Sequence, residues 1–182
     1  DFLSSPFATP VTLPDFDPSS PDRFFNRELL WLAFNWRVLE EAMNTRVPLL
    51  ERIRFLSISA ANLDEFYTVR VAGLRELARA GHTSPSADGK TPAEQLLLID
   101  ADARRLMDAQ QDVWAKLRPM LADEGITILS RHDLTDADRA WLQEWYLDNV
   151  FPVLSPLAVD PAHPFPFISN AGFSLALELE DP

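Results

Sequence analysis

Apolar positions recur at helical spacing from Leu29 to Leu117 and lose that order after Gly125. In "NRELLWLAFNWRVLEEAMN", Leu29, Leu32, Trp36, Leu39 and Met43 fall three or four residues apart, which predicts one buried helix stripe. Asn26 suits the N-cap, and Glu28 sits in the first turn, where the macrodipole favours a carboxylate. Pro48 suits the first turn of a second helix, "PLLERIRFLSIS", because the N–H it lacks has no partner there. In "SAANLDEFYTVRV" a third helix is expected to start after Asn62. Its buried face would be Leu63, Phe66, Val69, Gly73 or Leu74, and Leu77, with Gly81 as the stop. "GHTSPSADGK" reads as a polar loop. Thr91, Pro92 and Glu94 then supply an N-cap, an N1 proline and a capping box for a fourth helix. Its stripe is Leu96, Ile99, Ala103, Leu106, Gln110, Val113 and Leu117, a seam of the kind found in long antiparallel bundle helices. Pro119 is expected to kink this helix or to start a short extra one, and Gly125 to end the unit.

Beyond Gly125 the pattern changes. "ITIL" (residues 126–129) predicts a short strand. Thr135 predicts the cap of another helix, with Trp141, Leu142, Trp145 and Tyr146 facing inward. "FPVLSPLAVDPAHPFPF" has too much proline for a central strand or a helix. "FSLALELE" alternates as a half-buried strand does. A sheet with so few strands suggests a fragment of a longer protein. Residues 1–21, rich in Pro, Ser and Asp, read as a mobile leader with neither the basic nor the apolar region of a signal peptide. The expected fold is mainly α: a leader over 1–21, an antiparallel helical bundle as N-terminal domain over 22–125, and the start of an α+β domain over 126–182.

Composition narrows the functional classes. The 182 residues suffice for one or two domains with a real core. The chain has no Cys, which excludes disulfides and thiolate metal sites and fits a reducing compartment. No apolar run is long enough to span a bilayer. The net charge of -12 argues against a general affinity for nucleic acid, so an anionic ligand would need a local basic patch or help from another domain.

"GKT" at Gly89–Thr91 lacks the glycine that a phosphate-binding P-loop needs, because Ser84 stands in that place. The acidic pairs Glu40/Glu41, Asp100/Asp102 and Asp136/Asp138 read as solvated helix surface or first-turn carboxylates, with no histidine at metal-ligand spacing. None of His82, His132 and His163 is followed two residues later by Lys, so no His-x-Lys phosphotransfer motif occurs. No catalytic residue and no metal ligand is therefore expected. Arg70, Arg75 and Arg79, with Arg52 and Arg54 nearby, read either as a solvated face or as a basic wall for phosphate, to which guanidinium is suited. Asn62 has two readings as well. Asn-x-x-Glu, with Glu65, is close to a capping box, and a carboxamide at a helix N-terminus can also meet a ligand.

Three long strings bear on that choice. "RFFNRELLWLAFNWRVLEEA" with "PLLERIRFLSISAANLDEFYTVRVAGL" resembles the N-terminal domain of bacterial polyphosphate kinase, and "VFPVLSPLAVDPAHPFPFISN" resembles that family's head domain. Leu30, Trp36 and Ser155 depart from the family pattern, and none of them is a residue assigned to chemistry. The resemblance implies a parent enzyme that reversibly transfers the terminal phosphate of ATP to long-chain polyphosphate, with Mg2+, through histidines on C-terminal domains. It implies that Asn62 contacts ATP; Arg70 and Arg75, read from the residues alone, are the candidate phosphate-facing side chains. It also implies ATP/ADP, polyphosphate, the parent's own catalytic domains and a homodimer or higher oligomer as partners, and a location in the cytoplasm or peripheral to the inner membrane. This chain alone would bind no cofactor tightly and would be inactive. The rival reading is a non-enzymatic helical interaction module, whose Leu96–Leu117 seam would pair with another chain.

Overall fold

The computed structural model describes Asp17 and residues 19–179; most of the expected leader lies outside the described residues. Five α-helices follow one another: α1 (Arg27–Met43), α2 (Leu49–Glu65), α3 (Ala72–Arg79), α4 (Pro92–Asp123) and α5 (Asp136–Asn149). A π-helical turn, Phe66–Val71, joins α2 to α3 without a break.

The cap signals at the first and fourth helices hold. Asn26 Oδ1 accepts from the backbone N–H groups of Glu28 and Leu29, both at 3.0 Å. Thr91 and Glu94 form the reciprocal capping box. Gly81 and Gly125 take positive φ just past α3 and α4, the left-handed stop for which glycine carries no Cβ penalty. Pro119 starts no separate helix, because α4 continues to Asp123.

Cross-links along the helices give their directions. Glu28 near the start of α1 meets Arg70, Asn35 in the middle meets Ser59, and Ala42 near the end meets Arg52, so α1 and α2 run antiparallel. On α4, Met120 meets Arg52, Gln110 meets Ser59, and Asp100 meets Tyr67 in the same descending order. The result is an up-down-up bundle of α1, α2 with its continuation α3, and α4. Its core holds Leu32, Leu39, Phe66, Ile99, Leu106 and Leu117. Each such side chain contributes about 1.5–3 kcal/mol when fully buried. Trp31 stacks on Phe66 with ring centroids 4.5 Å apart.

Several expectations fail for identifiable reasons. No helix starts at Asn62. α2 passes through it, because "SAANLDEF" holds no Gly or Pro and its alanines and leucine favour continuation. The π turn then changes the register. Phe66 and Val71, five residues apart, are both buried, whereas Val69 is 64% exposed and Leu77 is exposed too. The extra residue rotates every later position, so the face extrapolated at 3.6 residues per turn misses. On α1 the stripe closes on Asn35 and Ala42, and Met43 points outward.

Past Gly125 no strand forms among the described residues, neither at "ITIL" nor at "FSLALELE". A strand needs a hydrogen-bonded neighbour, and none lies alongside either segment. Thr135 caps α5 as expected, with Asp138 completing the box. The inward face expected for Trp141, Leu142, Trp145 and Tyr146 is absent: all four are exposed. The proline-rich stretch after α5 forms only a short 3-10 turn, Phe151–Val153. Thus the helical N-terminal part matches its expectation, while the described residues show no α+β arrangement after it.

Candidate functional site

Three helices bring polar side chains together inside the bundle. Asn35 of α1 and Ser59 of α2 are 0% exposed, and Gln110 of α4 is also buried. Gln110 Nε2 donates to Ser59 Oγ at 2.9 Å. Asn35 Nδ2 donates to the Ser59 carbonyl at 2.9 Å. Half-buried Asn62, one turn further along α2, donates from Nδ2 to Asn35 Oδ1 at 3.3 Å. No buried side-chain polar atom among the described residues lacks a partner, so this seam does not carry the penalty of an unpaired buried group.

Asn62 is therefore a mid-helix residue at the edge of a buried polar seam. Its Nδ2 faces the protein, and among the described residues its Oδ1 accepts no hydrogen bond. The carboxamide can thus offer an outward acceptor and its second N–H.

The expected arginines divide between two sides of α2 and its continuation. Arg70 reaches Glu28 on α1, Nη1 to Oε2 at 3.1 Å. Arg75 lies 3.9 Å from Asp100 on α4 and 5.8 Å from the centre of the Tyr67 ring. Burial and the hydrogen bond to Asp100 push the Tyr67 phenol above its ordinary pKa. An open groove of about 620 Å³ between α2 and α4 is lined by Leu63, Asp64, Tyr67, Arg75, Arg104 and Met107 among others. Asn62 does not line it. The structure thus brings Asn62 and Arg70 to the α1 side and Arg75 to the α4 side. No continuous basic wall results. Arg52 Nε donates to the Ala42 carbonyl in the last turn of α1 at 2.9 Å, and Arg79 pairs with Glu76.

A second polar cluster ties the 82–91 loop to the start of α1. Asn26 Nδ2 donates to Asp88 Oδ2 at 3.2 Å and to Gln95 Oε1 at 3.1 Å. Burial alone pushes the Asp88 carboxyl up, but bonds from Ser86, Lys90 and Asn26 outweigh it and hold the pKa at about 2. With Lys90 on Asp88 and Gly89 in a tight turn, "GKT" is a loop clasp followed by a helix cap.

His163 pairs with Asp160 at 2.8 Å in the exposed proline-rich segment. No group of three His, Asp or Glu among the described residues could hold a metal ion, and no helix there is long and apolar enough to cross a membrane.

Sequence reasoning missed Asn35 and Ser59. The signal was present for Asn35: a polar residue falls in register with Leu32, Leu39 and Ala42 on the buried face of α1. Ser59 carried no such mark.

Residues 24–129 match the family model described as polyphosphate kinase N-terminal domain, and residues 137–182 match the polyphosphate kinase middle domain. A polyphosphate kinase of Synechocystis sp. is 49% identical over 170 residues, 93% of this chain and 23% of that protein. One of Mycobacterium avium is 50% identical over 173 residues, 94% of this chain and 23% of the relative. One of Mycobacterium tuberculosis is 49% identical over 178 residues, covering 97% and 24%. The chain therefore spans less than a quarter of the length of these relatives. None of the solved structures matches it.

Proposed function

The chain belongs to the polyphosphate kinase family, and from that premise we propose that its parent reversibly transfers the terminal phosphate of ATP to inorganic polyphosphate, with this chain forming one wall of the nucleotide site through Asn62. The observation that carries the reading is the state of that side chain. In a family named for phosphate transfer, Asn62 is held by Asn35 on one side, and its oxygen has no partner among the described residues on the other.

The remaining parts of the proposal follow from the family and the chain's chemistry. The described residues contain no His-x-Lys motif, so phosphate transfer is assigned to domains outside this chain, and the chain alone is inactive. They form no metal cage either, so Mg2+ is assigned to the nucleotide phosphates and those other domains. Residues 126–182 are assigned to the head domain, through which the parent assembles as a dimer or higher oligomer in the cytoplasm or at the inner membrane surface. Arg70 and Arg75 are the candidates for phosphate contact, since a guanidinium that pairs with Glu28 or lies near Asp100 still has N–H groups to offer. The interaction-module reading loses its support, because Ile99, Ala103, Leu106, Val113 and Leu117 are buried within this chain and cannot form a seam with another.

The test uses two substitutions. Asn62→Ala leaves the buried Asn35 Oδ1 without its donor, a cost of about 1–3 kcal/mol that about 0.6 kcal/mol of helix propensity only partly offsets, so the melting temperature should fall by a few degrees. In the complete parent, kcat/KM for ATP should fall about tenfold or more. Asn62→Asp loses that donor too and sets a carboxylate oxygen against Asn35 Oδ1, so it should be less stable than Asn62→Ala. A role as N-cap predicts the opposite order of stabilities, since aspartate caps well and alanine does not. ATP kinetics unchanged in both variants would end the nucleotide assignment.

A further inference from the structure

We infer that Asn35 is a positioning residue that sets which end of the Asn62 carboxamide faces the ligand; this rests on the proposed contact between Asn62 and the nucleotide. The argument is one of hydrogen-bond polarity. The Ser59 backbone carbonyl can only accept, so the Asn35 group facing it at 2.9 Å must be the NH2. Asn35 is fully buried between helices and cannot offer that NH2 elsewhere without leaving the carbonyl side of its amide unmatched. Its Oδ1 then faces Asn62 and can only accept. Asn62 must therefore present its own NH2 inward, at 3.3 Å, and its oxygen outward. A main-chain carbonyl of α2 thus dictates, through one buried side chain of α1, the polarity of a half-exposed side chain one turn away on α2 itself. Asn62 alone could flip its amide at little cost, since oxygen and NH2 are nearly the same size. The Asn35 oxygen removes that freedom. Gln110 supports the same point from α4 by bonding the Ser59 hydroxyl, which holds the third corner of the seam in place.

A purely structural Asn35 would stabilise the bundle and leave ligand affinity alone, so the test is a double-mutant cycle read in two quantities. Asn35→Leu has a similar branched shape and lacks both polar ends. In the complete parent it should raise KM for ATP about twofold, the effect of freeing a two-way flip of the Asn62 amide, with kcat changed less than KM. In the Asn62→Ala background the same substitution should leave KM where Asn62→Ala has already put it. Should Asn35→Leu fail to fold, Asn35→Ser carries the same cycle with a smaller polar group. A lower melting temperature with an unchanged KM in the Asn62 background would overturn the proposal, as would equal effects of Asn35→Leu on KM with and without Asn62. If Asn62→Ala itself leaves KM unchanged, the nucleotide reading has failed separately. The orientation is then decided by side-chain amide NMR on this 182-residue chain. One slowly exchanging Asn62 NH2 proton that becomes fast in the Asn35 variant supports it, and fast exchange in the unsubstituted chain overturns it.

Discussion

Leu106 in α4 and Phe173 near the other end of the chain both belong to clean periodic patterns, yet the first is fully buried and the second is 88% exposed. The same contrast holds between whole regions. α1, α2 and α4 close their apolar faces on one another around Phe66, with Asn35, Ser59 and Gln110 completing the interior. After Gly125, α5 buries none of its residues, and among the described residues Trp141 finds a stacking partner only in Trp145 on the same helix, at 6.3 Å. Phe173, Leu175, Leu177 and Leu179 alternate as one face of a strand would, and all four stand exposed. An apolar pattern specifies a face but says nothing of what covers it. Helices joined by short loops find their cover in the next helix along the chain, whereas a strand face needs ladder neighbours and a second layer that can lie far away in sequence.

Substitution of one phenylalanine in each region should give the largest difference. Phe66→Ala removes a buried ring stacked on Trp31 and should cost about 3–5 kcal/mol in urea unfolding of this chain. Phe173→Ala should stay within about 0.5 kcal/mol. A comparable loss at both positions would mean that the second region is packed after all.

Acid titration should sharpen the contrast less strongly. The Asp88 carboxyl is held at about 2, below its ordinary value of 3.8, so it binds its proton less readily when folded. It therefore contributes stability above pH ~4 that is lost as the pH falls toward ~2, about 2 kcal/mol in all. Asp88→Asn should remove that part of the acid dependence of the melting temperature. Asp138 is also lowered, by the side-chain and backbone bonds from Thr135, but it is exposed on α5. Asp138→Asn should leave the global acid transition where it was.

The two capping boxes offer the smallest and most local comparison. Thr91→Ala should cost about 1 kcal/mol of global stability, because α4 is one wall of the core. Thr135→Ala should lower only the amide-exchange protection of α5, with the main unfolding transition unmoved. A shift of that transition by Thr135→Ala would couple α5 to the bundle.

The sequence by itself determined the starts of α1 and α4, the stops after α3 and α4, and the α4 seam. These depend on interactions within a few residues: Asn26 and Thr91 bond N–H groups two or three positions on, and Gly81 and Gly125 turn the chain where a side chain would be strained. Asn62 was legible as a polar residue with a candidate role, but its setting was not. Its capping chemistry is local and reads well from "NLDE", yet a through-going helix and the partner Asn35 overrode it. Only the tertiary structure decided the π turn and the face it rotates, the separation of Arg70 from Arg75, and the polarity of the Asn35–Asn62 pair. Each of these depends on which atoms of α1 and α4 lie opposite α2, across sequence separations that no local propensity carries.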